Sequence, residues 1–84
     1  MSTKAKCFAL AKEHNMEIWI GEGYDMGFQI SIPKGFLLED FDGACTGRSQ
    51  WGFETKKHLW QECYKDLQTC LSYQPWFKIP EEWK

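Results

Sequence analysis

The chain has 84 residues, 43% of them hydrophobic, and a formal net charge of −2, which predicts one domain around a single core with no room for a large buried catalytic cleft. Residues 1–16 carry +2, residues 17–54 carry −5 and residues 55–84 carry +1, so the acidic middle excludes a broad basic surface for phosphate backbones. Fourteen residues are Phe, Trp or Tyr, five of them Trp; large rings give a short chain much buried area from few positions.

Thr3 is expected to cap a first helix reaching about His14, its hydroxyl accepting from an unpaired backbone N–H of the first turn. Cys7, Leu10, Ala11 and His14 share one face at helical spacing, Lys6, Lys12 and Glu13 face solvent, and Asn15 supplies a left-handed stop. A strand follows from Met16, with Met16, Ile18 and Ile20 on one face and Glu17 and Trp19 on the other. Gly21-Glu22-Gly23-Tyr24-Asp25 has the composition of a hairpin connection. The second strand places Met26, Phe28, Ile30 and Ile32 opposite Gln29 and Ser31 and ends at Pro33. Phe36-Leu37-Leu38 reads as a third strand, with Ala44-Cys45-Thr46 as a short partner across Glu39-Asp40-Phe41-Asp42-Gly43.

Gly47 to Gly52 reads as a loop. Thr55 caps a second helix to about Ser72, whose stripe of Leu59, Trp60, Cys63, Leu67, Cys70 and Leu71 is the strongest periodic signal in the chain. Gln74-Pro75 ends it. The remaining segment, 75–84, is aromatic and apolar with two prolines, and must lie on its own domain or on another molecule. Folded back over the open sheet face, it would cover Trp19.

Chemical motifs are scarce. The cysteines Cys7, Cys45, Cys63 and Cys70 include no closely spaced pair of the kind a structural zinc site uses, and Cys63 and Cys70 stand roughly 10 Å apart along a helix. Buried reduced thiols are the expected state. Asp40-Phe41-Asp42-Gly43 lacks the later glycine and the twelfth-position glutamate of a calcium loop, since Cys45 and Trp51 occupy those places. Cys45, His58 and Asp42 can be grouped as nucleophile, base and orienting acid, but no local pattern supports the trio; Cys45 is the candidate reactive thiol. Gly21-Glu22-Gly23 lacks the third glycine and the following helix of a dinucleotide-binding loop.

Lys56 and Lys57 open the second helix, where positive charge opposes the helix dipole. With the expected order of helix, strands and helix, they give the chain a resemblance to double-stranded RNA-binding domains, which run helix, three strands, helix and place lysines against phosphates at the start of the last helix. Lys56 and Lys57 match the first two lysines of that family's Lys-Lys-x-Ala-Lys pattern, while Leu59 and Trp60 replace its alanine and third lysine. The resemblance covers most of the chain in topology and implies duplex contact through Lys56 and Lys57, with one phosphate contact fewer.

The reading is therefore an α+β domain over 1–84, a three- to four-stranded antiparallel sheet with two helices packed on one face, in the order α-β-β-(β-β)-α. The expected function is non-catalytic: a small protein-interaction or regulatory module that binds a protein partner or a second copy of itself through Trp19, Trp51, Trp76, Phe77 and Trp83. Nucleic-acid binding through Lys56 and Lys57 is the alternative. No catalytic residue, metal, cofactor or membrane partner is expected, and the N-terminus lacks a secretion-type apolar core, which points to the cytoplasm.

Overall fold

Ser2 starts the first helix in the computed structural model, which describes residues 1–40 and 43–83. Helix α1 spans Thr3–Glu13, and the Ala5 N–H donates to Ser2 Oγ at 3.1 Å. The cap is thus Ser2 and not Thr3; adjacent hydroxyls of equal capping chemistry leave the sequence no means of choosing between them. At the other end Asn15 adopts φ 57°, with its N–H donating to Lys12 O and that of Met16 to Ala11 O. These two bonds close a Schellman motif, so the polypeptide leaves the helix at a defined angle into the first strand.

Six strands and a second helix follow: β1 (Glu17–Gly21), β2 (Met26–Ser31), β3 (Phe36–Asp40), β4 (Gly43–Cys45), β5 (Gly47–Phe53), α2 (Lys56–Ser72) and β6 (Phe77–Lys78), with a closing 3₁₀ turn at Glu81–Trp83. They form two antiparallel three-stranded sheets, ordered β1-β2-β5 and β4-β3-β6. The architecture is α+β with small antiparallel sheets, and the expected α-β-β-(β-β)-α order holds up to α2 except for one added strand. Three features differ. The strands divide between two sheets, residues 47–52 are strand and not loop, and a sixth strand, β6, follows α2.

The division occurs at Thr46, the bend between β4 and β5. Its carbonyl accepts from Ile32 N–H at 2.9 Å, just beyond the end of β2. One stretch of chain therefore serves the β3 hairpin first and the main sheet second. Of the turn expected at Glu39–Gly43, Glu39, Asp40 and Gly43 are strand residues, with Leu38 opposite Cys45, Glu39 opposite Ala44 and Asp40 opposite Gly43; Phe41 and Asp42 lie outside the described residues.

The strand at 47–53 escaped the hydrophobic pattern because its core-facing positions are polar. Cross-strand register aligns Ile18, Ile30 and Arg48 in one row and Ile20, Phe28 and Gln50 in the next. Directly opposed residues share a face, so Arg48 and Gln50 point toward the helices with buried Ile30 and Phe28 and half-buried Ile18 and Ile20. Their partner is Asp66, a charged residue within the buried stripe of α2 and only 6% exposed. Gln50 Nε2 donates to Asp66 Oδ2 at 2.8 Å, and Arg48 Nε lies 3.5 Å from Asp66 Oδ1. Arg48 Nε is buried and forms no hydrogen bond among the described residues, so that contact is an ion pair in character. Polar groups withdrawn from water need such partners.

Around this contact the core collects Cys7 and Ala11 from α1, Phe28 and Ile30 from β2, Leu38 from β3, and Leu59, Cys63, Leu67 and Cys70 from α2. Thr55 caps α2 as the sequence indicates, its Oγ1 accepting from His58 N–H at 3.2 Å. The C-terminal segment docks beside the end of α2. Trp76 Nε1 donates to the Cys70 carbonyl at 2.9 Å, a second donor beside the Tyr73 N–H at 3.2 Å, and its ring meets Phe36 edge-on at 6.5 Å. β6 then pairs with β3, Phe77 opposite Leu37 and Lys78 opposite Phe36. The segment lies along the second sheet and does not cover Trp19, which stays 59% exposed.

Replacing Asp66 by Ala strands Gln50 and Arg48 beneath α2. With Arg48 a third exposed, the expected loss is about 1–3 kcal/mol, read as a lower urea midpoint at unchanged m-value. An unchanged midpoint would remove Asp66 as the anchor of β5.

Candidate functional site

The face of the main sheet turned away from the helices carries Glu17, Trp19 and Gly21 from β1, Gly27, Gln29 and Ser31 from β2, and Gly47, Ser49 and Trp51 from β5. Register sets these in rows: Glu17, Ser31 and Gly47; Trp19, Gln29 and Ser49; Gly21, Gly27 and Trp51. The last row has one large residue and two without side chains. A Cβ on Gly27 would collide with Trp51 Cε3 and Cδ2, and one on Gly21 with Trp51 Cζ3 and Cη2. The Trp51 indole therefore lies across the backbone of β2 and reaches that of β1 beyond it. Trp19 stands beside it at 61° with centroids 5.9 Å apart, within the range of favourable edge-to-face pairs.

A bulge sets Trp51 and Phe53 on opposite faces of the sheet. Met26 pairs with Phe53 and Gly27 with Trp51, so one step along β2 answers two along β5. The extra residue is Gly52, at φ 91°, a left-handed conformation suited to glycine. By inserting one position it reverses the alternation of sides. Trp51 is left outside with 48% exposure, while Phe53 turns inward to stack on Phe28 at 5.7 Å. Without the extra residue both rings would share one face.

The five aromatic residues singled out from the sequence fall into three places. Trp19 and Trp51 come together on the outer face of the main sheet. Phe77 and Trp83 form a second pair at the chain's end, centroids 5.7 Å apart, with Trp83 64% exposed. Trp76 is the partly buried helix-end partner already described. Sequence alternation puts Gln29 on the same outward face as Trp19 but misses Gly21, Gly27 and Ser49 as companions of the tryptophans. The parity of β1 and β2 could have found Gly21 and Gly27, whereas Ser49 depended on recognising β5.

The other candidate groups are dispersed. Lys56 and Lys57 are exposed at the start of α2, and Lys56 Nζ lies 3.4 Å from Glu22 Oε1 across the surface. His58 pairs with Glu62 one turn along its helix at 3.5 Å and sets its ring edge-on to Phe53 at 5.2 Å. Cys45 Sγ donates to the Gly47 carbonyl at 3.3 Å. All four cysteines are free. Burial pushes the Cys70 thiol up to about 11 against the lowering effect of Arg48, and raises Cys7 and, more strongly, Cys63. These three are poor nucleophiles near neutral pH. Among the described residues no three His, Cys, Asp or Glu side chains group as metal ligands, and no helix is long and apolar enough to cross a membrane.

Compared with known proteins, the chain matches no family model, no curated protein and no solved structure.

Gly27→Ala tests the seat of Trp51. The new methyl meets the indole and the Gln50 carbonyl oxygen, so the ring must lift into water, with a red shift of tryptophan emission and a loss of about 1–3 kcal/mol. Unchanged emission and stability would mean that the ring does not rest on this glycine in solution.

Proposed function

We propose that this chain is a non-catalytic interaction module that binds a protein partner through the outer face of the β1-β2-β5 sheet, with Trp51 and Trp19 as its anchors. The observation that carries this reading is the placement of two half-exposed indoles side by side on a flat strand surface. The structure's own core makes little use of either. Burying them against a partner removes a large apolar area from water at small conformational cost, which is why tryptophan is so frequent among energetically dominant interface residues. Gln29 and Ser49 supply uncharged hydrogen-bonding groups in the adjacent row, and Glu17 is the face's charged residue.

A charge placed in the middle of this face tests the reading. Gln29 is exposed on the central strand, so Gln29→Arg should leave the helix signal intact. It should weaken capture of the partner from nuclease-treated lysate by at least about tenfold, the effect of 1.4 kcal/mol, because an unpaired charge would be desolvated at the contact. Capture as strong as that of the natural chain by both Gln29→Arg and Trp51→Ser would overturn it.

Binding to duplex RNA is the second reading, favoured by topology. With the β3-β4 hairpin set aside, the chain runs α1, β1, β2, β5, α2 and the sheet order is β1-β2-β5, the helix, three strands, helix order of the family it resembles. Exposed Lys56 and Lys57 are the contacts this reading requires. Under it, Lys56→Ala and Lys57→Ala each lower the salt dependence of duplex binding by about one unit per lost phosphate contact. Absence of duplex binding at low salt would dismiss it.

A further inference from the structure

We propose that two copies of this chain pair antiparallel along the free edge of β1, centred on Trp19, to make one six-stranded sheet. The inference stands on the edge of the sheet and not on the outer-face reading above.

β1 is an end strand whose one neighbour in its sheet is β2. Exposed edges invite pairing with another chain unless charge, proline or a bulge blunts them. The opposite edge is blunted: β5 carries the Gly52 bulge and Arg48. β1, Glu-Ile-Trp-Ile-Gly, pairs in continuous register with β2, has no proline or lysine, and places its single charge at the first position.

Its register is complementary to itself. Full overlap of two antiparallel five-residue strands sets Trp19 opposite Trp19 of the second copy, Ile18 opposite its Ile20, and Glu17 opposite its Gly21. No like charges meet within the strands. Each inward isoleucine falls beside an inward isoleucine, as opposed residues must share a face; a slip by one residue would turn the second copy's Ile18 and Ile20 to the outer side.

The flank of β1 has space for those side chains. Phe8 projects from α1 at 44% exposure and separates two clefts, one of about 480 Å³ bounded by Ala11, Lys12 and Ile18 and one of about 320 Å³ bounded by Ile20, Leu59 and Trp60. In the self-paired register Ile20 of the second copy arrives beside the first cleft and its Ile18 beside the other, so one symmetric operation sets an isoleucine at each. Glu22 of the second copy falls opposite Met16, at a cleft lined by both Lys12 and Glu17, so charge there neither drives nor opposes the pairing.

Sedimentation equilibrium on the natural chain and cysteine crosslinking test the pairing together. Across a two-fold axis the Cα atoms at position 19 would lie about 4.5–5.5 Å apart, inside the disulfide range. Trp19→Cys should therefore crosslink between chains under a copper(II) oxidant, the two thiols losing two protons to solvent and one electron each to two copper(II) ions as the S–S bond forms. Ser49→Cys, equally exposed on the far edge strand, should not. The natural chain should sediment at twice the monomer mass, and Phe8→Glu should shift it to monomer with an unchanged helix signal. A natural chain that stays monomeric at its highest soluble concentration, or Ser49→Cys crosslinking as fast as Trp19→Cys, would overturn the proposal. Gln29→Arg, on the central strand, should leave the dimer intact. A monomer that still binds a partner in a Gln29-dependent way would sink the pairing alone, and a dimer whose partner capture ignores Gln29→Arg and Trp51→Ser would sink the outer-face reading alone.

Discussion

Asp66 is the point at which helix and sheet are tied together. A carboxylate in the apolar stripe of α2 would cost several kcal/mol if left unpaired, and the groups that pair it, Gln50 and Arg48, both come from β5. The strand earns its place beneath the helix through a hydrogen bond and an ion pair, not through apolar side chains. Everything on the other side of β5 follows. Because Arg48 and Gln50 face inward, Ser49 and Trp51 face outward, and the outer surface of the sheet acquires its second indole.

The Gly52 bulge completes this arrangement. It permits one strand to place polar residues inward at 48 and 50, a tryptophan outward at 51 and a phenylalanine inward at 53. Simple alternation would bring Trp51 and Phe53 to the same side. The bulge resolves the conflict at a residue whose left-handed backbone only glycine adopts readily. Glycines on the neighbouring strands then make the bed across which Trp51 lies. An exposed aromatic pair thus depends on the absence of side chains at Gly21 and Gly27 as much as on its own rings.

The two aromatic pairs sit on different parts of the fold. Phe77 and Trp83 belong to the tail strapped along β3, and Trp76 to the end of α2. Trp19 and Trp51 stand on the main sheet, one on an edge strand and one on the opposite strand, spanning β2. Should β1 edges pair, the second copy would continue the row through its own Trp19, and the two aromatic faces would become one extended surface. Two weak contacts to a repeated partner would then reinforce one another, provided the partner's spacing matched.

Much of the fold was legible locally. Helical spacing located α2 and its Thr55 cap, period-two alternation located β1 and β2 with the correct faces, and Asn15 marked the end of α1, because each signal lies within one turn or a few residues of strand. The sequence by itself determined these elements and the α+β order. Tertiary structure alone decided that residues 47–53 are a strand, that the strands split into two sheets at Thr46, and that the tail runs beside β3. Each of these rests on partners distant in the chain: Asp66 for Gln50, Ile32 for Thr46, Leu37 for Phe77. The candidate site was legible as Trp19 and Gln29 on the outward face of β1 and β2 and as further tryptophans whose places the sequence left open. Which of them meet depends on register across three strands and on a one-residue bulge, and no local periodicity in the chain encodes either.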